Sequence, residues 1–264
     1  MQNLFRDVVF GAVAIGLVCA LVYQVYHGVF LMPIIEIAEQ FEALSESEKQ
    51  GSEKQGSEEQ GSEEQGAEEQ GAEQGSHDHH VHDHSPDLRT MLTFTANVLI
   101  STGFALVMLC AAVAHNLYSA KPATSAARGV LWGIAVFFAV FLSPLLVGLG
   151  PELPGSGRGD LANRQALWVG SVALGALTIG CLYYGSRVMK RLGFGLSLIV
   201  WVVVTIIDGS QNASSTITEG ESGPSSTVSA LQDEFLMVVG FGMLLLFTVM
   251  GALVGWRARI IHSR

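Results

Sequence analysis

"FLMVVGFGMLLLFTVMGALVGW", residues 235 to 256, carries no Asp, Glu, Lys, Arg or His over 22 positions. At 1.5 Å rise per residue such a run makes a helix about 33 Å long, matching the ~30 Å hydrocarbon core of a bilayer. A soluble protein has little use for a helix that is apolar on every face. The stretch therefore reads as a membrane span, and the rest of the chain follows suit. Only 14% of the 264 residues are charged, against about a quarter in a soluble domain.

Five more apolar windows can be drawn: Val8 to Met32, Met91 to Ala114, Gly129 to Leu149, Ala166 to Tyr184 and Leu192 to Ile207. The expected fold is an all-α, polytopic membrane helix bundle of about six spans. The fifth window is the weakest, since its sixteen residues reach only ~24 Å, so five spans is the alternative. The first window is longer than the apolar part of a signal peptide and lacks a small-x-small cleavage site, and reads as a retained helix. Cys19, Cys110 and Cys181 lie apart in separate apolar windows, which points to packing rather than to disulfides or a C-x-x-C site.

Alternating six spans puts Arg6, Lys121, Arg128, Arg187, Lys190, Arg191, Arg257, Arg259 and Arg264 on one side, and Lys49, Lys54, Arg89, Arg158 and Arg164 on the other. The basic excess predicts cytoplasmic termini in a cell (inner) membrane. The organisation expected is a first span over 1–33, a disordered outer loop over 34–90 and spans two to five over 91–207. An outer polar loop over 208–234 and a last span with a basic tail over 235–264 follow. The outer loop contains a five-residue Glu/Gly repeat, "GSEKQGSEEQGSEEQGAEEQGAEQG". It has no apolar side chain larger than alanine, so it cannot bury enough surface to offset chain entropy.

That loop ends in "HDHHVHDH", which holds His77, His79, His80, His82 and His84 with Asp78 and Asp83. Imidazole and carboxylate donors this dense suit Co²⁺, Ni²⁺, Zn²⁺ and Cu²⁺, and neutral rings are needed, so binding weakens below about pH 6.5. At the outer end of span one, "QVYHGVFLMPIIEIAEQFE" offers His27, Glu36 and Glu39 as candidate relay groups, because ionisable residues near a span are functional candidates. Gln24 and His27 share a helical face, as do Asn97 and Ser101, the latter pair suited to an interhelical hydrogen bond. His115 ends span two on the inner side and reads first as an interfacial histidine. The turn "SPLLVGLGPELPGSGRGDLANRQALW" is marked as rigid and non-helical by Pro144, Pro151 and Pro154; its Glu152 either pairs weakly with Arg164 or faces a pore mouth, which makes it the last relay candidate. No P-loop, dinucleotide fingerprint or H-E-x-x-H helix is present, so neither ATP hydrolysis nor another enzymatic activity is expected of this chain.

The segments "PIIEIAEQFE", "TANVL", "RGVLWGIAVFFAVFLSPLLVGLGPELPG" and "NRQALW", together with the His-rich insert, resemble the CbtA family of predicted cobalt transporter subunits. The resemblance covers most of residues 1–185. It implies five or six spans, import of Co²⁺ linked to cobalamin supply, and a short single-span CbtB-type partner that carries its own histidines. The chain departs from the family pattern in lacking a Pro-His segment after the fifth window. The expectation is a membrane importer subunit for a divalent transition metal, cobalt first, with nickel or zinc as the other candidates. The alternative is a metal-binding membrane sensor or storage protein that carries no flux. Neither a resident cofactor nor a nucleic-acid partner is expected; the bilayer and the small subunit are.

Overall fold

The computed structural model describes residues 2–41, 43, 86–118, 124–151, 161–191, 193–195, 198, 202 and 225–263. The histidine cluster, the Glu/Gly repeat, Glu152 and most of the fifth apolar window lie outside the described residues. Within them the chain is helical and contains no strand. Five helices are long and apolar enough to cross a membrane.

Helix α1 runs over Gln2–Tyr26, passes through a π-turn at His27–Leu31 and continues to Phe41. Helix α2 is Pro86–Tyr118. Helix α3 starts at Ala126–Phe137, widens in a second π-turn at Phe138–Leu142 and ends at Ser143–Leu146. Helices α4 and α5 are Leu161–Tyr184 and Ser225–His262.

The two π-turns have one cause. Each closes on the residue just before a proline: Met32 N–H donates to His27 O ahead of Pro33, and Ser143 N–H donates to Phe138 O ahead of Pro144. A proline ring clashes with the carbonyl four residues back and offers no N–H to it. Widening the preceding turn relieves the clash while the helix continues. Pro144 is thus buried inside α3, not in the turn where its sequence context placed it. The turn begins later. Gly148 takes φ 78°, Gly148 N–H donates to Leu145 O and Leu149 N–H to Pro144 O, the Schellman arrangement that ends a helix on a left-handed glycine.

Helix boundaries differ from the windows at two further places. The part of the 34–90 loop up to Phe41 and from Pro86 onward is helical, and so is the 208–234 loop from Ser225 onward. Hydropathy marks only the lipid-embedded length, whereas a helix continues wherever polar residues still favour it. Proline at a helix start costs nothing, because that N–H has no partner inside the helix.

Contacts between helices set their directions. Asn97 bonds Gln24, and Gly16 abuts Thr102, so α1 and α2 are antiparallel. Asp7 meets Arg257 and Tyr26 meets Val238, so α1 and α5 are antiparallel too. Gly133 faces Phe247 and Gly129 faces Gly251, which sets α3 against α5. Ser143 Oγ donates to Ser171 O at 2.6 Å, and Gly175 lies on Ala139, which sets α4 against α3. It follows that α4 and α5 run the same way. Gly193, near the start of the fifth window, lies against Cys181 of α4.

The core lies among α1, α2 and α5, where Cys19, Leu109, Phe247, Met250 and Val254 are almost fully buried. The closest helix pair is α3 with α5. Gly129-x-x-x-Gly133 faces Gly251-x-x-x-Gly255, and a Cβ on any of the four would overlap a backbone carbonyl oxygen of the opposite segment. Between apolar helices in lipid, small residues allow the backbone approach that supplies packing energy. The three cysteines are unpaired, as packing residues should be.

Candidate functional site

The described charges separate along the bundle. Arg6, Arg128, Arg187, Lys190, Arg191, Arg257 and Arg259, with Asp7 as the one acid among them, belong to the end formed by the start of α1 and the ends of α4 and α5. Glu36, Glu39, Arg89, Arg164, Asp233 and Glu234 belong to the other. The acidic end holds the sequence-derived relay candidates. It is also where α1 emerges from its π-turn and α2 begins.

Two polar contacts with a cavity between them join α1 to α2 there. Deepest, Asn97 Nδ2 donates to Gln24 Oε1 at 3.0 Å, so the hydrogen-bonding reading of Asn97 holds. Its face-mate Ser101 is buried at 2% exposure. Above them a cavity of about 80 Å³ is lined by Gln24, His27, Gly28, Met32, Arg89, Thr90 and Thr93. Outermost, Arg89 grips Glu39 with both arms of its guanidinium, Nη1 to Oε2 at 3.1 Å and Nη2 to Oε1 at 2.5 Å. The side chains of this pair are 45% and 40% exposed, and Glu36 is exposed one turn away on α1. The fork geometry matches a carboxylate well, yet so exposed a pair holds weakly.

The structure thus brings His27 to Arg89 and ties Glu39 to Arg89. Among the described residues no three His, Cys, Asp or Glu converge as a ready metal cage. Glu152 and the seven donors from His77 to His84 lie outside the described residues. Sequence reasoning treated Arg89 only as an outer charge. Its proximity to the histidine cluster, five residues past His84, was the signal that marked it.

The π-turns bound the same region from the other side. Tyr26 donates its hydroxyl to Val238 O at 2.7 Å, its ring filling the space beside Gly242, where a Cβ would lie 2.5 Å from Cε1. Phe141, in the α3 π-turn, packs on Gly240. A single turn of α5 is therefore clasped between both widened turns. Next to it, Val140, Phe141, Pro144, Trp168, Met243 and Phe247 help line an apolar cavity of about 350 Å³ with Arg164 at its edge.

At the basic end His115 is buried among Trp132, Tyr183 and Tyr184, with Nδ1 3.2 Å from the Tyr184 hydroxyl. It is therefore a packed, buried ring and not the interfacial histidine expected from its place at the helix end. Beside it is a network the sequence did not reveal. Asn116 Oδ1 accepts from Thr124 N at 2.7 Å and Oγ1 at 2.8 Å, while its Nδ2 donates to Ala258 O at 3.2 Å. One buried amide thus ties the end of α2 to Thr124, just before α3, and to α5.

Comparison with curated proteins and with solved structures returned no match. The family model described as "Probable cobalt transporter subunit (CbtA)" matches residues 5–259, nearly the whole chain. The protein is accordingly a multi-pass membrane protein of the CbtA family of probable cobalt transporter subunits.

Proposed function

We propose that this chain is the membrane subunit of an importer for a divalent transition-metal ion, cobalt first. The His77–His84 segment collects the ion outside the cell, and His27, Glu36 and Glu39 pass it to the bundle. Glu152 contributes at the mouth. The basic end of the bundle faces the cytoplasm, as the excess of Arg and Lys there supports. A short single-span subunit of the CbtB type completes the complex, a reading supported by the family's description as a subunit.

One observation carries this reading. Arg89 is held on Glu39 and shares a cavity with His27, and His84 lies only five positions before it. Five extended residues reach at most about 18 Å, so chain connectivity alone limits how far the last histidine can stray from Arg89. Capture and entry are then neighbours whatever path the loop takes. A membrane potential negative inside favours entry of a divalent cation by about 4.6 kcal/mol per 100 mV, so import needs no ATP site.

The test is ⁵⁷Co²⁺ uptake into vesicles that hold this chain with and without its small partner. Glu36→Gln with Glu39→Gln is expected to abolish most uptake; unchanged uptake rejects the relay. Deleting residues 77–84 should raise the metal concentration for half-maximal uptake and leave the maximum largely intact, because a floppy donor raises encounter rather than shaping a path. Binding without flux in any combination would instead establish the sensor or storage reading.

A further inference from the structure

We propose that Arg89 is a built-in competitor for the Glu39 carboxylate, which an incoming divalent cation has to displace. The inference rests on the proposed entry path and adds a specificity-determining residue to it.

The guanidinium bonds both oxygens of Glu39, so an ion arriving from solution has to compete with it for the carboxylate. Arg89 sits in the first turns of α2, where the helix dipole disfavours a cation; helix stability does not account for it. Glu39 is held across fifty residues of sequence, and Glu36 adds a second negative charge that acts on the same guanidinium. The competitor is tethered, so its effective concentration is high. A monovalent ion offers the carboxylate no more charge than Arg89 does. A divalent ion offers twice the charge on a compact centre and can take oxygens directly into its coordination shell. Once displaced, the side chain is already about half in solvent and regains water at little cost. The exchange therefore favours divalent over monovalent cations while keeping occupancy reversible.

An exposed pair of this kind is worth about a two- to fivefold factor in an equilibrium constant. The test is calorimetric titration with Co²⁺ of the purified full chain in which His77, His79, His80, His82 and His84 are all replaced by Asn, so that loop binding does not mask the mouth. On that background Arg89→Gln should lower the half-saturating Co²⁺ concentration two- to fivefold, and Glu39→Gln should raise it. Arg89→Gln added to Glu39→Gln should change nothing further. Arg89→Lys, which keeps the charge and loses the fork, should fall between parent and Arg89→Gln. Thermal unfolding confirms that each variant is folded. If Arg89→Gln acts equally with and without Glu39, Arg89 works by its general field and the proposal is overturned. It is overturned equally if Arg89→Gln has no effect, or if no version binds Co²⁺. Binding that obeys the cycle in a chain that moves no metal in vesicles would reject the import reading and leave the competition standing.

Discussion

The α3–α5 seam and the α1–α2 mouth lie in one bundle and are built on opposite terms. In the seam, backbone meets backbone through four glycines, and no side chain intervenes. At the mouth, long polar side chains meet across a small cavity, and the outermost pair stays half in water. Shape holds the first; exchangeable electrostatics holds the second. The difference teaches where the molecule tolerates change. A seam of this kind is fixed for the life of the fold, because packed contacts have no alternative partner. On the proposed reading, the half-exposed pair at the mouth swaps partners without unfolding anything.

The seam is the place to break first. Gly251→Val should lose about 3 kcal/mol or more, seen as early unfolding in detergent, because its Cβ overlaps the Gly129 carbonyl and no rotamer relieves a backbone clash. Gly103→Ala is the control: nothing lies within 4 Å of its added methyl, and alanine is the better helix former, so stability should hold or rise by up to about 1 kcal/mol. Asn116→Ala comes next, at about 2 kcal/mol, since it strands the buried amide and hydroxyl of Thr124. At the mouth the stability effects shrink. Asn97→Leu should cost about 0.6 kcal/mol, and Glu39→Gln less than about 0.5 kcal/mol while reducing Co²⁺ uptake. A mouth substitution that unfolds the protein, or a seam substitution that spares stability and changes only ion affinity, would undo the contrast. The smallest effect expected is on encounter: Co²⁺ capture by the excised 77–84 segment should fall as pH drops below about 6.5, where an ordinary imidazole gains a proton.

Much of this was legible in the residues. The apolar windows found every long helix described. The Asn97 hydrogen bond was readable because an amide has few ways to satisfy its polar groups in lipid. Pro144 misleads because proline marks a turn in water, whereas in a packed helix a π-turn absorbs it. The Gly129/Gly133 and Gly251/Gly255 pairs were visible as Gly-x-x-x-Gly spacing, yet spacing does not say which helix a glycine stripe will meet. Arg89 looked like an orientation signal until Glu39 was found in its grip.

What the sequence determined by itself was the solvent. A backbone buried in hydrocarbon must satisfy its own hydrogen bonds, so uncharged runs of bilayer length become helices whatever surrounds them. Pairing is not local in that way. Gly129 with Gly251, Asn116 with Ala258 and Glu39 with Arg89 are joined across 50 to 142 residues. Only the packed bundle selects such partners, because each contact exists through the simultaneous placement of two helices that neither segment specifies alone.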